Sequence, residues 1–184
     1  MIAVLPSLHG RGWNGIGDFK DCAVAKLETL EQFAEPRDTD AMALMYQVPG
    51  APAFPRLNLG AERALASEGQ APLLHWAMFD VDNEGHIPWK DPVEAAMALA
   101  KAIEQTGFGG YTPRAGYRLI ANVHPPLPVA FANSFLRQVG EALPIPVDPC
   151  SYEWTRLMRL PRALRDGQVG DSLVQLGTMV RLDH

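Results

Sequence analysis

Cysteine is scarce: only Cys22 and Cys150 occur in 184 residues, far apart and without the spacing of metal ligands. That excludes a zinc-binding module and fits a reducing, cytoplasmic setting. No uninterrupted apolar run reaches the roughly 18 residues of a membrane span, and the start, Met1 to Pro6, lacks the basic residues of a signal peptide. Positive charge is not in excess either. The net charge of −5 argues against a chain coated in cations, so a nucleic-acid site would have to be a local basic patch. Internal repeats and low-complexity linkers are missing. What is present, 47% hydrophobic and 20% charged residues, is the composition of a globular chain. Its 184 residues suffice for one domain with a real core. Sixteen prolines imply many tight connections.

Taken in order, residues 10–17 carry a Gly-x-Gly-x-x-Gly pattern. The strand before it is short and broken by Pro6, and no following strand ends in a well-placed acidic residue about 20 positions later, so it reads as a flexible glycine loop. Asp18 looks like an N-cap, and Phe19, Cys22, Ala23, Leu27, Leu30 and Phe33 recur at helical spacing, which predicts a helix over 19–34. A buried strand is expected at 41–48, a proline-rich loop at 49–60 and a short helix at 61–68. Asp91-Pro92-Val93-Glu94 is a capping box opening a helix over 93–105, ended by Gly107. A loop at 109–116, a strand at 117–123, a break at Pro125-Pro126, a helix between Leu127 and Leu143 and a short strand at 145–148 follow. Strands separated by helices predict an α/β or α+β domain.

Chemistry concentrates first in His75-Trp76-Ala77-Met78-Phe79-Asp80-Val81-Asp82-Asn83-Glu84-Gly85. In a strand, side chains alternate between faces, so Asp80 and Asp82 share one side while Phe79 and Val81 are buried on the other. Two carboxylates at a strand end suit a hard cation, Mg²⁺ or Mn²⁺. An acidic pair before Asn and Gly is equally ordinary turn chemistry. Asp148 ends a second short apolar strand, and by itself, before Pro149, it reads as a turn residue. Behind it, residues 151–165 hold four arginines, Arg156, Arg159, Arg162 and Arg165, against one glutamate. Arginines every third residue can form the solvated face of a helix, but Pro161 opposes an unbroken helix. Guanidinium groups beside a metal site are also what clamps a triphosphate. Arg114 and Arg118 add positive charge between the two acidic motifs, with Arg118 equally readable as an exposed strand residue. His9, His75, His86 and His124 read as structural or loop residues.

The order of these motifs resembles the archaeo-eukaryotic primase superfamily, particularly the primase-polymerases of phages and plasmids. The resemblance lies in Phe79-Asp80-Val81-Asp82, in Thr112 to Ile120, in Val147-Asp148, and in Tyr152, Arg156 and Met158 to Arg162. It covers about residues 75–165. Where the family usually has a phosphate-binding histidine, this chain has Arg118 beside Tyr117. The resemblance implies an RRM-like catalytic sheet with a smaller N-terminal α/β unit over about residues 1–70, the metal and nucleotide site falling in 71–184. Asp80, Asp82 and Asp148 would be catalytic and hold Mg²⁺ or Mn²⁺, without zinc. Arg114, Arg118, Tyr152, Arg156, Arg159 and Arg162 would bind the nucleotide. Nucleoside triphosphates and a single-stranded DNA template would be the partners, with a replicative helicase as a further one and no membrane. The implied activity is template-directed nucleotidyl transfer, as a DNA primase or polymerase. Two other readings use the same residues: a metal-dependent nuclease, which needs the carboxylates but not the arginines, and a non-catalytic single-stranded nucleic-acid-binding replication protein.

Overall fold

The computed structural model describes residues 4–6, 41–49, 61–81, 91–111, 117–160, 164–165, 168–169, 174–175 and 180–181. The glycine-rich stretch at 10–17, the expected helix over 19–34 and nearly all of the loop at 49–60 lie outside the described residues.

The strands are β1 (Val4–Pro6), β2 (Ala41–Leu44), β3 (Tyr46–Gln47), β4 (Leu73–Val81), β5 (Gly109–Tyr111), β6 (Tyr117–Pro128), β7 (Leu157–Arg159), β8 (Leu164–Arg165), β9 (Gln168–Val169), β10 (Val174–Gln175) and β11 (Val180–Arg181). The helices are α1 (Ala61–Ser67), α2 (Pro92–Thr106) and α3 (Ala132–Ala142), with 3-10 turns at Val129–Phe131 and Pro149–Tyr152. The main sheet runs β10-β5-β6-β4-β3, every neighbour antiparallel, and β11 lies parallel to β6 at Val123 and His124. A second sheet, β1-β2-β7, ties strands from the first part of the chain to one inside the arginine-rich stretch. A hairpin joins β8 to β9. With helices and antiparallel strands both present, the fold is α+β, as expected.

β4 lies inside the main sheet, between β6 and β3, a place its sequence suits because it is apolar on both faces. Trp76 and Met78 point to one side and Ala77, Phe79 and Val81 to the other, and all are buried. Burying such side chains contributes roughly 1.5–3 kcal/mol for each large one. α2 covers the Phe79 side. A Cβ on Gly110, in the same cross-strand row as Leu119 and Phe79, would stand 2.5 Å from Ile103 Cδ1 of α2. The helix starts and stops where the sequence indicates. Asp91 accepts a hydrogen bond from Val93 N at 2.8 Å, Pro92 fills the first turn, and Gly107, at φ 71°, returns its N–H to Ile103 O.

Several expectations are corrected. The loop expected at 109–116 opens with a strand, β5, and the strand expected at 41–48 is divided between β2 and β3, which belong to different sheets. The prolines at 125 and 126 do not end the strand: β6 continues to Pro128 and pairs Leu127 and Pro128 with Leu74 and Leu73. Between Asn122↔Trp76 and Leu127↔Leu74 the register slips, so β6 carries extra residues opposite His75. The prolines sit in that irregularity, where no N–H is required for the ladder. The helix accordingly begins late, at Ala132, after the 3-10 turn. On the other side of β4 the same point is a bulge, with His75 N and Trp76 N both donating to Met45 O at 2.9 and 3.1 Å.

Burial at this bulge holds the His75 imidazole down at about 4, against an ordinary 6.5. The unfolded chain therefore binds a proton more readily than the folded one, so stability is complete above about pH 6.5 and falls as pH drops towards about 4. Equilibrium urea unfolding should register a loss on the order of 1–3 kcal/mol across that window from this group. His75→Gln should flatten that part of the profile, and an unchanged profile would contradict the assignment.

Candidate functional site

Strand register builds the site. Tyr111 of β5 pairs with Arg118 of β6, and Arg118 pairs with Asp80 of β4. Directly opposed residues in antiparallel strands share a face, so Tyr111, Arg118 and Asp80 form one row across three strands. It lies on the face opposite α2. The alternation of Tyr117, Arg118, Leu119 and Ile120 left the face of Arg118 open, and the register decides it. A fourth position joins from the far edge of β4. Val147 bridges Val81 antiparallel and Asp148 N donates to Asp80 O at 2.9 Å, which sets Asp148 beside Asp80.

The segment after Asp148 is locked to the end of β4. Asp148 Oδ1 caps the 3-10 turn by accepting from Cys150 N at 2.8 Å, and Ser151 N donates to Asp148 O at 2.8 Å. Ser151 is fully buried, and its Oγ accepts the backbone N–H of Asp80 at 2.9 Å. Asp148 is therefore a turn residue and a site residue at once. Sequence reasoning missed Ser151 and Tyr111. The Asp-Pro-x-Ser pattern at 148–151 was a capping signal for the turn, but nothing local indicated that the serine reaches another strand.

The ionic contacts close the group. Arg118 Nε donates to Asp80 Oδ1, while Arg156 Nη2 reaches both Asp80 Oδ2 and Asp148 Oδ2 at 3.2 Å. Each carboxylate thus has both oxygens on donors, and two anions face two cations. Burial pulls the Arg118 guanidinium down, but Tyr111 and Asp80 outweigh it and hold Arg118 above the usual arginine value. It is charged at any workable pH.

Tyr152, expected at the nucleotide, packs on α3. A Cβ at Gly140 would run into its Cε1, and the Arg137 guanidinium lies 5.5 Å from its ring centroid. Burial, then Glu141 and Asp148, push its phenol up against the opposing pull of Arg137, so it stays neutral near pH 7. Further contacts brace the same region. Trp154 N donates to Asn133 Oδ1 of α3, and the Trp154 ring meets Tyr46 edge-on at 4.7 Å between centroids.

Of the expected site residues, Asp80, Asp148, Arg118 and Arg156 come together, with Tyr152 on the adjoining turn. Arg159 lies in β7 opposite Met42 of β2. The chain is extended at Leu157–Arg159 rather than helical, so Arg156 and Arg159 do not share a helix face. Asp82, Arg114 and Arg162 lie outside the described residues, as does the side chain of Arg159. Among the described residues, no group of three or more His, Cys, Asp or Glu side chains is disposed to hold a metal ion. The pair Asp80 and Asp148 nevertheless suits a hard cation in donor chemistry, since both carboxylates already converge on one positive nitrogen. Among the described residues, no helix is long and apolar enough to cross a membrane.

No protein-family model matches the chain, and no curated protein matches it. Among solved structures, the chain is similar to a polymerase domain from Mycobacterium tuberculosis Ligase D in complex with DNA, at a TM-score of 0.40 and 16% sequence identity. The match covers 71% of this chain and 48% of that one, so this chain spans about half of its neighbour's length. A likeness this distant does not identify an activity.

Two substitutions test the geometry. Ser151→Ala leaves the Asp80 N–H without its acceptor and should cost about 1–3 kcal/mol in urea unfolding. Gly140→Ala gains helix propensity of less than about 1 kcal/mol but overpacks against Tyr152, at about 1–3 kcal/mol. It should therefore be net destabilising, and a stabilised Gly140→Ala would refute the close approach.

Proposed function

We propose that the chain is a nucleotidyltransferase of the primase-polymerase type, adding nucleotides to a DNA strand under the direction of a single-stranded template. The observation that carries the reading is the row itself. Two aspartates from separate motifs stand side by side at the end of an interior strand, with Arg118 and Arg156 on their carboxylates. Carboxylates and guanidiniums in one place are what phosphoryl transfer needs, since that chemistry is dominated by positioning and charge stabilisation.

Asp80 and Asp148, with Asp82, are the residues that would hold Mg²⁺ or Mn²⁺. Bound there, the cation would lower the pKa of the attacking 3′-hydroxyl and stabilise the leaving pyrophosphate. Ser151 and the Asp148 backbone fix the two carboxylates relative to each other, so the site is preorganised by main-chain bonds rather than by long side chains. Arg118, braced between Asp80 and Tyr111, orients the Asp80 carboxylate and keeps a permanent positive charge on the face where a triphosphate would lie. Arg156, with Arg114, Arg159 and Arg162, would supply the remaining neutralising charge. Nucleoside triphosphate and single-stranded DNA are the partners of this reading, with a replicative helicase as a further one.

One observation favours a second reading, a non-catalytic single-stranded nucleic-acid-binding protein on the same scaffold. The charges of the quartet already cancel, and every carboxylate oxygen has a donor. Primer extension on single-stranded DNA, with ribo- and deoxyribonucleotides tried separately in Mn²⁺, separates the two. An enzyme incorporates nucleotides, and folded Asp80→Asn and Asp148→Asn should each lower the rate by a factor of roughly 100 or more. A folded wild type that binds single-stranded DNA without incorporating either nucleotide set would establish the binding module instead.

A further inference from the structure

We propose that Arg156 is an exchangeable cation. It holds Asp80 and Asp148 together while no divalent ion is present, and a bound ion displaces it onto the nucleoside triphosphate. The inference rests on the nucleotidyltransferase reading and extends it to how cation and nucleotide are coupled.

The two arginines of the quartet are held differently. The Arg118 side chain is 15% exposed and is gripped by Asp80 and Tyr111. Arg156 is 33% exposed, the most open member of the group, and touches both carboxylates through the single nitrogen Nη2. Both contacts are 3.2 Å, longer than the roughly 2.7–2.9 Å of a good charge-assisted bond. Neither is the bidentate fork that makes arginine–carboxylate pairs strong. Among the described residues, its other guanidinium nitrogens make no hydrogen bond. A shared, stretched, half-open contact gives way more readily than the Arg118 contact.

The position of Nη2 matters as much as its weakness. It lies where one oxygen of each aspartate converges, so a cation held by both carboxylates would contend with it for those oxygens. A magnesium-sized ion draws carboxylate oxygens in to about 2.0–2.1 Å, so it and the guanidinium would compete for the same oxygens. Charge points the same way. The quartet is neutral, and adding a divalent ion with Arg156 still seated would leave excess positive charge within a few ångströms. An incoming triphosphate removes that excess and offers the freed guanidinium oxygens of fork geometry. Cation and nucleotide would therefore each strengthen the binding of the other, with Arg156 passing from protein carboxylates to substrate phosphate.

The test uses the full chain without nucleotide, titrated with Mn²⁺ and followed by the electron paramagnetic resonance of the free ion. Asp80→Asn identifies the site, since binding there must disappear in that variant. Arg156→Ala removes the competitor and should bind Mn²⁺ roughly tenfold more tightly than the wild type. Nucleoside triphosphate affinity is then compared with and without Mn²⁺. Arg156→Ala should weaken it only when Mn²⁺ is present, because only then does the wild-type arginine leave the carboxylates. Equal or weaker Asp80-dependent Mn²⁺ binding in folded Arg156→Ala would overturn the exchange while leaving the metal-site reading intact. So would the same loss of nucleotide affinity in both conditions. Absence of Asp80-dependent Mn²⁺ binding in every variant would defeat both readings. If Arg156→Ala does not fold, Arg156→Gln decides by the same criteria, because it keeps an amide donor for the carboxylates without the charge.

Discussion

The backbone junction between Asp80 and the 148–151 turn is the constraint on which the rest of the site depends. Asp80 O accepts from Asp148 N, and Asp80 N donates to the buried hydroxyl of Ser151. These bonds act on main-chain atoms, so they fix where the two carboxylates emerge whatever the side chains then do. An unpaired buried N–H at Asp80 would be costly, which gives the serine a reason to be there independent of any chemistry. The turn is in turn held from outside by Tyr152 on Gly140 and by Trp154 on Asn133 and Tyr46. α3 and β3 thus support a site to which they contribute no charged group.

On that frame the charged groups sort by burial. Arg118, in the sheet interior beside Tyr111, is a fixed charge that shapes Asp80. Arg156 enters from a turn, with its N–H on Glu153 O, and reaches the carboxylates from the open side. The two arginines differ because one sits between two neighbouring strands and the other comes from a more exposed turn. A counter-ion shared by the two carboxylates offsets the repulsion that two bare aspartates would suffer at this separation.

Much of the fold was legible locally. α2 was marked at both ends, by Asp91-Pro92 and by Gly107, and the helix lies where those signals indicate. The apolar run ending at Asp80 and Asp82 reads as a strand with Phe79 and Val81 buried; β4 is that strand, and Trp76 and Met78 bury its other face as well. β6 was misjudged at its prolines, since their compatibility with a strand depended on a slip opposite His75 that belongs to another strand. The arginine run was spaced for a helix face. It turned out extended because Leu157 to Arg159 pair with β2, a partner more than a hundred residues upstream.

The sequence by itself determined which residues can carry the chemistry. Strand-end aspartates, a nearby run of arginines and the apolar alternation that buries Phe79 and Val81 are properties of residue type and spacing, and local sterics and hydrophobicity enforce them. Only the tertiary structure decided which of them meet. Arg118 lies 38 positions from Asp80 and Arg156 lies 76. Their convergence follows from the register between β4 and β6 and from the Val81–Val147 bridge. Register is a relation between two strands, and a slip of one residue would turn Arg118 to the opposite face. No spacing within a single stretch of chain encodes that choice. It is made by the packing that buries both faces of β4 and by the buried hydroxyl of Ser151, which fixes the second aspartate beside the first.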